Sequence, residues 1–216
     1  MPTNFLVPLE PGRYYHIYNR GNDGCNIFYK NENYRYFLSK YDSYLSSYFD
    51  TFAYCLLPNH FHFMIRVKDQ QDFPSIKENE KFSKSLRLGK SILENLENKI
   101  VSEQCRKFFL AYSKAINKQE TRTGSLFQKY FRRKEITSDK YFASLIFYIH
   151  NNPVHHGFTN DLRLYQWSSY KAIVNEQPTK IQKNELLKWF GGKNDFTDFH
   201  KNLSSKIDIS DFVIEE

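Results

Sequence analysis

Cysteine is scarce in this chain and poorly spaced for bridging: Cys25, Cys55 and Cys105 are the only three in 216 residues, an odd number with no Cys-x-x-Cys pair. That argues against both a disulfide framework and a zinc ribbon, and it fits a reducing compartment. Long hydrophobic runs are also missing. No apolar stretch approaches the roughly 18 residues that a membrane-crossing helix needs, and Met1 to Gly12 lacks a basic segment followed by an apolar one. A cytoplasmic protein is expected, with no membrane partner. Internal repeats and low-complexity segments are absent as well, which leaves one packed domain with appendages as the expected organisation.

What the chain has in quantity is aromatic and basic. Phe (20) and Tyr (16) supply core material and also rings on which bases can stack. The formal charge is +7, but it is regional: Lys81 to Lys134 holds 14 Lys and Arg against 4 Glu and no Asp. The remainder is slightly acidic. Such asymmetry favours a polyanionic partner, and nucleic acid is the better candidate.

Arg13 to Arg20 reads as a first strand ended by the turn Gly21-Asn22-Asp23-Gly24. Tyr34, Phe37, Leu38, Tyr41 and Leu45 then recur at helical spacing, with Asn31 or Asn33 available as N-cap. Thr51 to Leu57 is a second strand, turned by Pro58-Asn59 into a third. Between Lys68 and Val101 the chain is polar and reads as an insertion or binding arm, with a short helix near Lys84 to Leu96. Cys105, Phe108, Phe109, Tyr112 and Ile116 trace one face of the next helix. Leu126 to Ile136 reads as a fourth strand, and Thr137-Ser138-Asp139 offers N-caps for a helix from Lys140 towards Asn152. This order predicts an α+β, ferredoxin-like (split βαβ) antiparallel sheet with helices on one face, plus a C-terminal helix and extension. In that extension Trp167-Ser168-Ser169-Tyr170 reads as packed, Asn184 to Phe190 as a short helix stopped by Gly191-Gly192, and the last residues as an acidic tail.

The most informative run is Leu57-Pro58-Asn59-His60-Phe61-His62-Phe63-Met64-Ile65. On a strand, residues i and i+2 share a face, so His60 and His62 can reach one ion while Phe61, Phe63 and Ile65 face the core. A metal held by two imidazoles needs a further ligand, and the last helix is where to look for it. Tyr148 and Asn152, four apart, share a helical face and offer a phenol and an amide oxygen. Pro153 places Asn152 at the expected fraying end of that helix. Tyr141, two turns back on the same face, is the rival nucleophile. His150 is off that face, and His155 and His156 read as loop residues.

These residues resemble the HUH-type single-tyrosine transposases, and most of all the REP-associated tyrosine transposases. The matching pieces are Tyr18-Asn19-Arg20-Gly21, Ala53 to His62, Gly124-Ser125-Leu126-Phe127-Gln128, Tyr148 to Val154 and Trp167 to Tyr170. The resemblance implies a catalytic domain over 1–170, with 68–101 longer than in the family, and an unmatched extension over 171–216. It implies His60 and His62 as paired metal ligands, Asn152 as the third ligand and Tyr148 as the nucleophile. It also implies Mg2+ or Mn2+ as cofactor, and single-stranded DNA with a REP-like hairpin as substrate for a monomer or homodimer. Oxygen and nitrogen ligands suit those hard cations. Arg13, Arg20, Lys129, Arg132, Arg133 and Lys134 are the candidate DNA contacts, since cations interleaved with rings suit single strands. Two other readings stand beside this one: a non-catalytic nucleic-acid-binding module, because a ferredoxin-like sheet is also the RNA-recognition architecture, and a transposase-derived protein that no longer mobilises DNA.

Overall fold

The structure is a computed structural model that describes residues 7–69, 72–74 and 90–203. The chain runs through β1 (Tyr14–Arg20), α1 (Asn31–Leu45), β2 (Phe49–Leu57), β3 (His60–Val67), α2 (Lys90–Gln119), β4 (Arg132–Glu135) and α3 (Asp139–His155). Three shorter helices follow: α4 (Tyr170–Val174), α5 (Lys183–Phe190) and α6 (Lys193–Leu203). The four strands form one antiparallel sheet in the order β2-β3-β1-β4. This is the ferredoxin-like order that the βαββαβ succession predicts.

Alternation along β3 builds two cores on opposite faces. Phe61, Phe63, Ile65 and Val67 point into a cluster with Phe37 of α1 and Phe108 and Tyr112 of α2, and Tyr15 and Ile17 of β1 join them. Rings do much of the packing there: Phe37 meets Phe61, Phe108 and Tyr112 at centroid distances of 5.2, 4.9 and 4.8 Å. Met64 faces the other way, into a second cluster with Cys55 and Leu57 of β2 and Ile146 and Ile149 of α3. The helices on one face are therefore α1 and α2, while α3 lies across the opposite face. His60 and His62 share the α3 side.

Several boundaries differ from the sequence reading. The helix α1 starts at Asn31 after Lys30, and Asn33 acts from inside the first turn, its Oδ1 accepting the backbone N–H groups of Tyr29 and Lys30 at 3.0 and 3.1 Å. Of the expected helix over Lys84 to Leu96, residues 84–89 lie outside the described residues; from Lys90 the backbone is the start of one thirty-residue helix rather than a separate short one. Of the expected strand Leu126 to Ile136, only Arg132–Glu135 joins the ladder. The part before it follows the end of β1 through single contacts, including Gln128 N–H to the Arg20 carbonyl at 3.0 Å. The acidic tail lies outside the described residues.

Gly21 locks the end of β1 to the β2–β3 turn. Its N–H donates to the Asn59 carbonyl at 2.8 Å, and a Cβ there would sit 1.9 Å from the Cys25 carbonyl oxygen, so no side chain fits. The run Trp167 to Tyr170 covers the free edge of β2. Leu56 N–H donates to the Trp167 carbonyl at 3.0 Å, and Tyr54 N–H donates to Ser169 Oγ at 2.9 Å. Ile173, Leu186 and Phe196 of the three short helices enter the α3-side cluster. Among the described residues no helix is long and apolar enough to cross a membrane.

Candidate active site

The ladder register decides which side chains meet on the α3 face. His62 lies opposite Tyr18 of β1, His60 opposite Arg20, and Met64 opposite His16. From above, α3 supplies Tyr148 and Asn152, both buried. Its start is fixed by Ser138, whose Oγ accepts the Tyr141 N–H at 3.2 Å. The helix runs through Pro153 to His155, so Asn152 sits in its interior and not at a frayed end.

Four groups converge. His60 Nε2 lies 3.0 Å from Asn152 Oδ1, the rings of His60 and His62 are 5.3 Å apart, and the Tyr148 ring stands edge-on to His62 at 5.2 Å. Tyr148 and Asn152 also interact through their side chains. Sequence reasoning had brought these four together. It had missed His16, whose Nε2 lies 2.9 Å from His62 Nδ1, and Asn59, whose Oδ1 lies 2.7 Å from His60 Nδ1. From the sequence His155 and His156 both read as loop residues; His155 is instead the last residue of α3, and His156 caps it and brings its ring to 4.8 Å from that of His60.

Proton counting tests whether a cation fits. A neutral imidazole carries one N–H, yet His60 faces an amide oxygen with each nitrogen. A proton on Nδ1, towards the nearer Asn59, would leave the Nε2 lone pair facing Asn152 Oδ1. A second proton is opposed by burial first and by His156 next, which together push His60 down to about 4. His62 is held well below the usual histidine range by burial and then by His16. Its Nε2 and the Asn152 Nδ2 are buried without a hydrogen-bond partner among the described residues. Two imidazoles and an amide oxygen brought together out of solvent are what a divalent cation would satisfy. No three His, Cys, Asp or Glu side chains among the described residues could hold a metal, so an ion here would have to draw on two imidazoles and a carboxamide.

The phenol is not activated by its surroundings. Burial raises the Tyr148 pKa above its ordinary value, and the Asn152 hydrogen bond only partly opposes this.

Comparison with known proteins gives the arrangement a context. A curated protein of Haemophilus influenzae named as a REP-associated tyrosine transposase is 27% identical over 129 residues, which cover 60% of this chain and 63% of that relative. This chain resembles the REP-associated tyrosine transposases. A solved structure of a REP-associated tyrosine transposase bound to a REP hairpin matches with a TM-score of 0.51 at 16% identity, over 80% of this chain and 86% of that one, a likeness of fold. No family model matches the chain.

In this transposase-like fold the six candidate DNA contacts divide. Arg20, Arg132 and Lys134 belong to the α3 face, opposite His60, Tyr18 and His16 respectively. The Arg132 guanidinium hydrogen-bonds to the Tyr18 phenol, and the Lys134 ammonium lies 4.7 Å from the centre of the Tyr141 ring. Arg13 is exposed and pairs with Glu135 at 3.7 Å. Lys129 and Arg133 go elsewhere. They line a groove of about 630 Å³ with Arg106 and Lys114 of α2 and the rings of Phe109, Tyr130 and Phe131. His150 is off the site, with Nδ1 at 2.9 Å from His200 Nε2 and Nε2 at 2.9 Å from Ser169 Oγ.

Proposed function

We propose that this chain is a metal-dependent DNA strand transferase and nuclease that cleaves and rejoins single-stranded DNA at hairpin-associated sites through a 5′-phosphotyrosine. One observation carries the reading: a phenol, two imidazoles and a carboxamide converge out of solvent, with His62 Nε2 and Asn152 Nδ2 buried and without a hydrogen-bond partner among the described residues. The resemblance to transposases, one of them solved with a REP hairpin, supports it.

His60 Nε2, His62 Nε2 and Asn152 Oδ1 would hold Mg2+ or Mn2+, which when bound supplies Lewis-acid polarisation of a scissile phosphate oxygen. Tyr148 is the nucleophile. Its phenol oxygen forms the bond to phosphorus, loses its proton, and the bond to the 3′ oxygen breaks, so that a 3′ hydroxyl leaves. Because the phosphodiester is exchanged and not hydrolysed, a second 3′ hydroxyl can reverse the step and join strands without ATP. Arg20, Arg132 and Lys134 at the rim would meet backbone phosphates leading to the site.

A pooled library of single-stranded hairpin DNAs, incubated with the protein and Mn2+ and resolved on a denaturing gel, tests the proposal. A covalent protein–DNA adduct that disappears with EDTA is expected. Tight binding with no adduct at any metal concentration would favour a non-catalytic binding module.

The groove on the far face makes a separate expectation. Its lining carries four cations and no carboxylate, although Arg106 is engaged by Glu103 at 2.7 Å. Tyr130, more than half exposed, offers a ring for stacking. If DNA follows the groove, affinity falls steeply with salt. Replacing Lys114 and Lys129 by Ala then makes the plot of log affinity against log salt shallower by about 0.7 per charge removed. An unchanged slope would leave those lysines as solvated surface.

A further inference from the structure

The third imidazole of the pocket has no role in the proposal above. His16 lies on β1, is buried, stacks on Tyr18 at a centroid distance of 4.5 Å, and lies edge to edge with His62, ring centroids 5.1 Å and planes 23° apart. Its Nε2 faces His62 Nδ1 at 2.9 Å, so the same atom cannot also face a cation held by His60 and Asn152. It is not a fourth ligand of that set. Two proton arrangements are open to the contact. If His16 Nε2–H donates, His62 carries its own proton on Nε2, a buried donor with no acceptor among the described residues and no lone pair for a metal. If His62 Nδ1–H donates, its Nε2 is bare.

We infer that His16 is a positioning residue: it accepts the Nδ1 proton of His62, and so fixes the tautomer and ring orientation in which His62 Nε2 is a metal ligand. Metal-ligating imidazoles are commonly oriented in this way by a partner on the other nitrogen. Asn59 stands in the same relation to His60, accepting its Nδ1 proton at 2.7 Å. Both ligand imidazoles thus have the far nitrogen tied to the sheet, one from the neighbouring strand and one from the turn before it. The stacking of His16 on Tyr18 keeps its ring in the plane this requires. The inference rests on the metal reading of the site, and the test separates the two.

Titration calorimetry with Mn2+ alone, without DNA, on the full chain and on His62→Ala, His16→Phe and His16→Gln gives the readout. Wild type is expected to bind and His62→Ala to bind far more weakly. His16→Phe, which removes the acceptor, should lose roughly 10- to 100-fold in affinity. His16→Gln, which places an amide oxygen near the position of Nε2, should recover most of that loss. Equal Mn2+ binding by wild type and His62→Ala would overturn the metal reading itself. Loss in His62→Ala with unchanged affinity in both His16 variants would overturn the positioning role alone. Should His16→Phe fail to fold, imidazole nitrogen NMR of metal-free wild type decides: His62 protonated on Nδ1 supports the inference, and protonated on Nε2 refutes it.

Discussion

Tyr148→Phe is expected to abolish the covalent adduct while hairpin binding persists. The substitution removes one oxygen from a side chain that is otherwise held by ring packing: the phenyl group keeps its place edge-on to His62 and inside the α3-side cluster. What it loses is the Asn152 hydrogen bond, about 1 kcal/mol of stability, and the phenol oxygen seated beside His62 and Asn152. Loss of a covalent nucleophile reduces turnover on the order of 10⁴-fold or more, so no adduct should be visible on a gel. Tyr141 is the residue against which to judge the result. It lies two helical turns away, roughly 10 Å along the axis, with its ring beneath the Lys134 ammonium. An adduct that survives in Tyr148→Phe and vanishes in Tyr141→Phe would move the nucleophile and detach the proposed metal site from the chemistry. The size of the barrier also matters. An ordinary phenol is only about 0.1 per cent ionised at pH 7, and burial of Tyr148 makes matters worse. The compensating positive charge must come with the cation, which is a reason to expect no adduct in EDTA.

The sequence made the alternation of β3 plain because a period of two survives without knowledge of any neighbour. His60 and His62 on one face, with Phe61, Phe63 and Ile65 on the other, needed nothing beyond the strand itself. His16 was different. Nothing in Tyr14 to Arg20 marks it, and its partner is 46 residues away; only the register that sets Met64 opposite His16 brings it beside His62. Asn152 shows a local rule giving way. A residue before proline is disfavoured in a helix, yet α3 continues for a last turn, its interior Asn152 held against His60 across the sheet. Arg133 illustrates the reverse error, in which neighbours in sequence were grouped as one patch. Strand alternation sends it to the groove side while Arg132 and Lys134 stay with the site. The helix α6 went unnoticed because its anchors, Phe196 and His200, are recognisable only once His150 and Tyr170 are seen to receive them.

The metal-free protein should be sensitive to mild acid. Five histidines are buried: His16, His60, His62, His150 and His200. Burial is the first cause in each case, and it pushes His16 down to about 3 and His60 and His200 down to about 4, with His62 and His150 also well below the ordinary value. The sign follows from where the protons go. Unfolded histidines titrate near 6.5, so below that pH the unfolded chain gains protons that the folded chain refuses. Stability is therefore full above about pH 7 and declines as pH falls through 6.5 towards the folded values. Each such histidine costs about 2 kcal/mol between pH 7 and pH 5. Several acting together would remove on the order of 5–10 kcal/mol, comparable with the whole stability of an ordinary domain. The hydrogen bonds give one pair an added reason to resist. His200 Nδ1–H donates to the Phe196 carbonyl at 2.8 Å, so its Nε2 must accept from His150 Nδ1, whose Nε2 in turn accepts from the Ser169 hydroxyl. A proton added to His200 Nε2 sets it face to face with the His150 Nδ1–H donor, and α6 would be the first element to loosen. Urea unfolding in EDTA at pH 8, 7, 6 and 5 measures the slope directly, with proton uptake on unfolding of three or more expected near pH 5. A flat profile across that range would mean that these imidazoles are protonated or solvated in the native protein, and the proton order argued for the active site would fall with it.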